Sequence, residues 1–132
     1  MKSTYFVTVR GYELDSFGHL NNAVYLNYAE QAKWEFLNEN KLLETVQKNG
    51  LFPVILENNI RYMHEFRLLD KVRIETEWSC TRSILHFTHT FFNDSTGLKS
   101  CRITGKLMFA DIDRMVFDIP DELYDFIQGE KH

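Results

Sequence analysis

The residue types best suited to chemistry in this chain lie close together near the N-terminus. Asp15 is followed by Gly18, His19 and the pair Asn21-Asn22, directly before a segment with a helical pattern. The first turn of a helix has amide groups without partners and carries the positive end of the helix dipole, so it favours an anionic oxygen. A carboxylate beside that point can act as a nucleophile or as a general base on water.

The same residues also have a purely structural interpretation. Asp15, Asn21 and Asn22 are short polar residues, which form turns and cap helices because their side-chain oxygens accept backbone amides. Residue type and spacing alone leave both interpretations open.

Other catalytic chemistries have little support in the sequence. His86 and His89 lie three residues apart on a predicted strand, so their side chains point to opposite faces. Cys80 and Cys101 are too few for a structural zinc site or a disulfide scaffold. GxGxxG, P-loop and GxSxG patterns are missing, which removes the usual support for nucleotide folds and serine hydrolases. We therefore expect no metal, no cofactor and two reduced thiols in a cytoplasmic protein.

Composition narrows the class of protein further. The chain has 132 residues, with 15 basic and 19 acidic side chains and a formal net charge of −4, which argues against binding nucleic acid through its phosphates. With 44% hydrophobic residues the chain can bury a core, and no apolar run approaches the length of a membrane span. We expect one domain over residues 1–132, with residues 130–132 frayed.

Two kinds of periodicity define the elements that must position the polar segment. Tyr5, Val7 and Val9 alternate with other residues, which predicts a strand. From Ala23 to Asn38 the period becomes helical, and a shorter helix is predicted from Leu42 to Lys48. The long helix has an apolar stripe formed by Tyr25, Leu26, Ala29, Ala32, Phe36 and Leu37.

The second half of the chain reads as a meander of strands. Residues 72–80, 85–91 and 101–109 alternate between apolar and polar side chains, which is typical of an antiparallel sheet with one buried face. Gly105 falls on the buried face, which indicates a bulge or a close approach of the helix. Pro120 opens a short terminal helix.

Together these elements predict an α+β fold in which one long helix lies on a five-stranded antiparallel sheet. One helix cannot cover such a sheet, so we expect a homodimer or homotetramer. Trp34 lies away from the apolar stripe and is a candidate for a contact between subunits.

The spacing Asp15-x-x-Gly18-His19-x-Asn21-Asn22-x-x-Tyr25, followed by an aromatic-rich helix, resembles the signature of hotdog-fold thioesterases. More narrowly, it is similar to the 4-hydroxybenzoyl-CoA/acyl-CoA thioesterase family. The likeness covers residues 3–112 and includes the element order and the turn Thr81-Arg82-Ser83-Ile84.

The resemblance implies a helix wrapped by the sheet, active sites between subunits, and an acyl-CoA or aryl-CoA thioester as substrate. By position, Asp15 would attack the thioester or activate water. The segment from Gly18 through His19 to Asn22 would polarise the thioester carbonyl through backbone amides, although His19 also suits a role in holding the loop. Tyr25 would line the site.

Four further positions complete the expected substrate-binding set. Phe17 would add an apolar wall to the pocket. Arg82 and Ser83 match a turn that lies near the coenzyme in relatives, and Arg61 is a candidate for binding its phosphates.

Two other functions stay open at this level. A hotdog dehydratase or hydratase would use Asp15 and His19 as a base and acid pair, but Leu-Asn-Asn follows His19 instead of a proline-rich stretch. A non-catalytic acyl-binding module would gain little from a carboxylate beside a polarised carbonyl.

Overall fold

The computed structural model describes residues 1–129, and the fraying expected for residues 130–132 lies outside this range. A short 3-10 helix at Gly11–Glu13 precedes the first α-helix. The elements in chain order are β1 (Lys2–Thr8), α1 (Asn22–Glu39), α2 (Leu42–Lys48), β2 (Phe52–Tyr62), β3 (Lys71–Cys80), β4 (Leu85–Asn93), β5 (Lys99–Ala110), β6 (Val116–Phe117) and α3 (Asp121–Gln128).

The sheet is antiparallel, with strand order β1-β3-β4-β5-β2. Strands β3, β4 and β5 follow one another along the chain, whereas β1 and β2 form opposite edges. The segment between β1 and β2 therefore crosses from one edge to the other and carries α1 and α2 with it. This crossing lays α1 on one face of the sheet, which confirms the predicted α+β arrangement.

A sixth strand extends the five that were predicted. β6 pairs with the end of β5 through Phe109↔Phe117 and Ala110↔Val116. Two residues are too few for an alternating pattern to be visible, so sequence periodicity missed this strand.

Asn21 begins α1 as predicted, because its Oδ1 accepts a hydrogen bond from the Ala23 amide at 2.9 Å. The helix extends one residue beyond the predicted range of residues 23–38 at each end. Phe36 stacks on Trp78 of β3, with ring centroids 4.4 Å apart. Aromatic packing thus fixes the C-terminal half of α1 against the sheet.

Three α1 residues depart from the predicted pattern. Leu26 was placed in the buried stripe but lies at the helix margin, 37% exposed. Trp34 was expected to face outward, yet it is half-buried, packs against the core and donates to Glu30 at 2.9 Å. Lys33 is buried although it is charged. The apolar face of α1 is therefore rotated and broader than the sequence suggested.

The strand alternation predicted the buried face of the sheet correctly. The buried apolar side chains that point toward the helices from β3, β4 and β5 include Val72, Ile74, Trp78, Leu85, Phe87, Phe91, Cys101, Ile103, Leu107 and Phe109. Helix α2 has the predicted bounds, and α3 buries Leu123 and Ile127. Cys80 and Cys101 are free thiols, as predicted.

Gly105 lies beside a bulge, which was one of its two predicted explanations. The register between β2 and β5 shifts between Ile55 and Glu57, and Gly105 pairs with the next residue, Asn58. A Cβ atom at Gly105 would lie 2.6 Å from Cζ of Phe87 and would also clash with the carbonyl oxygen of Glu57. The three atoms nearest to this Cβ all belong to neighbouring strands, which supports the bulge.

Candidate active site

The loop that joins β1 to α1 is held by the buried carboxylate of Glu13. Its Oε1 accepts from the Arg10 amide at 2.9 Å and from the Tyr28 hydroxyl at 2.5 Å, and its Oε2 accepts from Arg10 Nη2 at 2.7 Å. The backbone carbonyl of Glu13 accepts from the Asn21 amide at 2.9 Å. One residue thus connects both ends of the loop to α1, a role that the sequence analysis missed.

Hydrogen bonds keep the Glu13 carboxylate charged in spite of its position. Burial raises the pKa of this carboxyl, but the hydrogen bonds from Arg10 and Tyr28 and the charge of Arg10 outweigh burial and hold the pKa below its usual value. Burial is the main cause that raises the pKa of the Tyr28 hydroxyl, and the hydrogen bond to Glu13 is the second. The three groups therefore form a charged donor–acceptor network at neutral pH.

Asp15 forms a tight turn with one of its two carboxylate oxygens. Its Oδ1 accepts from the amides of Phe17 at 2.9 Å and His19 at 3.1 Å, and its own amide donates to the His19 carbonyl at 2.8 Å. Gly18 completes the turn with φ = +79°, a conformation that strongly favours glycine. Among residues 1–129 no hydrogen bond reaches Oδ2, so the half-buried carboxylate keeps one oxygen for a ligand.

His19 holds the loop against the segment that follows β2. Its backbone forms a bridge with Arg67, and the adjacent Leu20 amide donates to the Phe66 carbonyl at 2.8 Å. Nε2 of His19 lies 3.8 Å from Oε1 of Glu65. The pKa of the Glu65 carboxyl is lowered, first by a hydrogen bond from its own backbone amide and then by nearby His19. These contacts suit the loop-holding role that the sequence left open for His19.

Four predicted residues, Asp15, His19, Asn22 and Tyr25, line one open cleft of about 170 Å³ at the start of α1. No hydrogen bond from the Asn22 amide is present within residues 1–129, so this N–H can bind an oxygen in the cleft. The remaining lining residues are Leu20, Tyr62, Met63, His64 and Glu65. No pattern in the sequence points to Tyr62, Met63, His64 or Glu65, because only the pairing of β2 with β5 brings the end of β2 beside α1.

Aromatic contacts fix Tyr25 at the floor of the cleft. Its ring meets the Tyr62 ring edge-on with centroids 5.1 Å apart, and it also packs on Phe66 and Phe91. The Tyr62 hydroxyl donates to the Asn22 carbonyl at 3.0 Å. Burial is the main cause that raises the pKa of Tyr25 to about 12, so its phenol stays protonated at neutral pH.

Three predicted substrate-binding residues lie elsewhere in the protomer. Phe17 is 82% exposed and does not line the cleft. Arg82 binds Asp121 at 3.0 Å and lies over the Tyr124 ring, and Ser83 belongs to the same turn. That turn follows β3, whereas the Asp15 loop lies at the start of β3, about 30 Å away along the strand. Within one protomer, Arg82 and Ser83 therefore do not reach the cleft.

Arg61, the fourth predicted binding residue, belongs to a basic row on the outer face of the sheet. Arg61 and Arg102 are directly opposite each other on β2 and β5, and both line a groove of about 400 Å³ with Lys99. None of the three forms an ion pair with another of residues 1–129. Met63 lines both this groove and the cleft, so the two sites adjoin at the end of β2.

Residues 1–129 contain neither a cluster of metal ligands nor a membrane-spanning helix. No group of three or more His, Cys, Asp or Glu side chains within residues 1–129 could hold a metal ion. None of the helices in that range is both long and apolar enough to cross a membrane.

Residues 9–127 match the Thioesterase-like superfamily, so the chain belongs to this family. It is 32% identical over 71 residues to the long-chain acyl-CoA thioesterase FadM of Escherichia coli, a match that covers 54% of each chain. It is 35% identical over 86 residues to the chloroplastic acyl-acyl carrier protein thioesterase ATL3 of Arabidopsis thaliana, covering 64% of this chain and 45% of ATL3. The chain thus spans about half the length of the curated relatives it matches.

A solved structure confirms the fold independently. Slr0204, a 1,4-dihydroxy-2-naphthoyl-CoA thioesterase from Synechocystis, superimposes with a TM-score of 0.89 over 100% of this chain and 99% of its own, at 13% identity. The helix-on-sheet arrangement is therefore the hotdog fold that the sequence resemblance implied.

The charged network at Glu13 predicts a pH-dependent contribution to stability. Because folding lowers this pKa, the stabilisation is present above the unfolded value of about 4.3 and is lost as the pH falls through the folded value. Glu13→Gln should lower the free energy of unfolding by about 1–3 kcal/mol at neutral pH, and the difference should shrink in acid. Denaturant unfolding over a pH series measures both effects.

Glu39→Gln is the control, because Glu39 is an exposed carboxylate at the end of α1. Its stability should follow that of the wild type at every pH. Equal stability of Glu13→Gln and wild type at neutral pH would contradict the role assigned to Glu13.

Proposed function

We propose that this protein hydrolyses acyl-CoA or aryl-CoA thioesters to the free acid and coenzyme A. Asp15 supports this most directly, because it lines one cleft with Asn22 at the start of α1 and its Oδ2 has no hydrogen bond to any of residues 1–129. A carboxylate and an amide donor on the same carbonyl group are what acyl transfer to water requires. The family membership and the names of the matched relatives agree with this reaction.

The proposed reaction uses Asp15 in one of two ways. Its Oδ2 either attacks the thioester carbon, forming an anhydride that water then cleaves, or removes a proton from the water that attacks. In both cases the carbonyl oxygen becomes an oxyanion, which the Asn22 amide and the positive end of α1 stabilise. The bond from carbon to sulfur then breaks, and coenzyme A leaves as its thiolate.

The two alternative functions have weaker support in this geometry. A dehydratase needs an acid and a base on opposite sides of a carbon–carbon bond, but the His19 ring lies beside Glu65 and its backbone is tied to Asp15. A module that only binds its ligand has no need for the Asp15 carboxylate oxygen, Oδ2, that has no hydrogen bond among residues 1–129. Both alternatives are outcomes of the following experiment.

Replacing Asp15 with Asn separates catalysis from turn formation. Asn keeps an Oδ1 acceptor for Phe17 and His19 but removes the basic Oδ2. Turnover should fall at least about 100-fold, since a general base is lost, while the melting temperature changes little. Thiol release from acyl-CoA and thermal unfolding are measured on the same preparation.

Asp111→Asn is a matched control. Oδ1 of Asp111 accepts from the amides of Asp113 and Met115, two and four residues along, as Asp15 does for its own neighbours. This turn lies outside the cleft, so the variant should keep full turnover. Near-normal turnover of Asp15→Asn would remove Asp15 from the mechanism. Interconversion of a 3-hydroxyacyl and an enoyl thioester by the wild type without thiol release would favour the dehydratase, and binding of acyl-CoA without any turnover would favour the binding module.

The basic row supports a site for the coenzyme phosphates. Arg61, Arg102 and Lys99 are free of ion pairs within the described chain and lie next to the cleft at Met63. A thioester held at Asp15 would let the pantetheine arm pass Met63 and place the phosphates against these cations. Guanidinium groups bind phosphate oxygens through two parallel hydrogen bonds, which suits this role.

Removing one of these charges should weaken binding without affecting the chemical step. Arg102→Gln should raise KM for an acyl-CoA roughly fivefold, leave kcat unchanged, and leave KM for the acyl-pantetheine thioester, which lacks the phosphates, at its wild-type value. Arg82→Gln, which removes a charge already paired with Asp121, should change neither KM. Equal effects of Arg102→Gln on both substrates would contradict the phosphate site.

An assembly of two or four chains is the third part of the proposal. Strand β2 is an edge of the sheet, and the apolar side chains of Phe52, Val54 and Leu56 are 54%, 38% and 45% exposed on it. An unpaired edge strand with exposed apolar residues favours pairing with a second copy. Such pairing would also close the cleft, which lies at the end of this strand.

Sedimentation velocity should give a dimer or tetramer at micromolar concentration. Val54→Glu places a charge on the β2 edge and should shift the protein toward the monomer. Phe6→Glu is the control, because Phe6 is 60% exposed on β1, the opposite edge of the sheet. A monomeric wild type would contradict the assembly and the shared site together.

We also propose a cytoplasmic location. Cys80 and Cys101 are free thiols, and Cys101 is fully buried in the sheet, where burial raises the pKa of its thiol to about 12. Thiols of this kind are stable in a reducing compartment.

A further inference from the structure

A second group of polar side chains is buried beneath α1, apart from the cleft at Asp15. Lys33 and His89 are 4% and 2% exposed, and Thr76 Oγ1 lies 2.7 Å from Nδ1 of His89. The ammonium group of Lys33 binds Glu30 at 2.9 Å. Within residues 1–129 every fully buried side-chain nitrogen and oxygen has a hydrogen-bond partner, so a donor or acceptor that has none must reach accessible space.

One ring nitrogen of His89 has no hydrogen-bond partner in the described part of the chain. Burial, and to a smaller extent the charge of Lys33, lowers the pKa of His89 to about 3. The ring is therefore neutral at physiological pH. Thr76 occupies Nδ1, whereas Nε2 makes no hydrogen bond to any of residues 1–129. A neutral imidazole of this kind offers a single donor or acceptor to a small polar group.

A small cavity of about 20 Å³ lies at this point. That volume accommodates one group of the size of a water molecule. Its polar lining consists of Lys33, His89, Asn58 and Glu30, and its apolar lining consists of Leu26, Ala29, Ile55, Trp78 and Phe87. The cavity opens between α1 and β2, where Leu26, Glu30 and Asn58 reach the surface.

The cavity and the cleft lie along the same boundary between α1 and β2. On α1, Asn22 lines the cleft and Ala29, further along the helix, lines the cavity. On β2, Tyr62 lines the cleft and Asn58, earlier in the strand, lines the cavity. Seven helical residues separate Asn22 from Ala29, a distance of about 10 Å. The packed Tyr25 and Tyr62 rings and the hydrogen bond from the Tyr62 hydroxyl to the Asn22 carbonyl lie at the start of this boundary, so an acyl chain attached at Asp15 would pass over these rings to reach the cavity.

We propose that the cavity recognises one uncharged oxygen, a hydroxyl or keto group, in the distal part of the substrate's acyl chain. The polar lining is nearly neutral overall, because Lys33 is paired with Glu30 and His89 carries no charge. An uncharged oxygen fits this balance and the volume, whereas a carboxylate is too large and would add a charge. The preferred substrates are then hydroxyacyl or oxoacyl thioesters. This inference rests on the proposed thioesterase function.

The test compares acyl-CoA substrates of equal length. A medium-chain saturated acyl-CoA is assayed beside its counterparts that carry one hydroxyl or one keto group in the distal half of the chain. The wild type should hydrolyse the oxygenated substrates with kcat/KM at least about fivefold higher, since one hydrogen bond is gained. Hydrolysis of all substrates at equal kcat/KM would overturn the inference and leave the proposed function intact.

Variants connect the preference to the cavity. Asn58→Ala alters one polar side chain of the lining and should lower the ratio of kcat/KM for the oxygenated substrate to kcat/KM for the saturated one. Asn59→Ala is the matched control, because the neighbouring side chain points to the opposite face and does not line the cavity. The double variant Thr76→Val/His89→Leu removes both partners of the buried hydrogen bond and should abolish the preference.

Each result has one meaning. Loss of the preference in Asn58→Ala, with Asn59→Ala unchanged, supports the site even if the double variant does not fold. A preference that survives in Asn58→Ala and in a folded double variant would show that the cavity holds only a structural water. Absence of thiol release from every thioester would instead refute the proposed function itself.

Discussion

The loop that carries Asp15 depends on Glu13, the one buried carboxylate among residues 1–129. Glu13 joins Arg10 at the start of the loop, Tyr28 on α1 and, through its carbonyl, Asn21 at the helix cap. Without these bonds the loop could pivot on the end of β1, and the turn formed by Asp15 would lose its fixed distance from the first amides of α1. Catalysis that relies on preorganised groups requires such rigid support.

Because the chain crosses the sheet between β1 and β2, strand β2 lies at the edge and has three structural roles. Its backbone completes the sheet edge, its inward residues form one wall of the α1 boundary, and its C-terminal end places Tyr62 and Met63 at the cleft. The same strand carries Arg61 on the outer face. The two faces of one strand thus separate the proposed acyl path from the proposed coenzyme site, because successive side chains alternate.

Polarity is distributed unevenly along the proposed substrate path. The reacting end has a carboxylate oxygen and the Asn22 backbone amide, neither of which has a hydrogen-bond partner among residues 1–129. The coenzyme end has three cations, and the acyl end has a neutral histidine beside an ion pair. Discrimination among acyl groups therefore falls on Lys33, His89 and Asn58. A buried polar site strongly rejects a ligand that lacks the matching oxygen, because its polar groups are then left unpaired. An apolar pocket rejects a ligand that carries an extra oxygen less strongly.

Local patterns in the sequence determined the helices, the five main strands, the buried face of the sheet and the polar segment from Asp15 to Tyr25, because period and capping depend on neighbouring residues. The family signature in that segment also indicated the fold. Only the tertiary structure decided that Phe17 faces solvent, that Arg82 binds Asp121, and that Glu13 is buried. It alone brought the end of β2 to α1 and His89 to Lys33. These contacts join residues distant in the chain, and no local pattern encodes which distant partners meet.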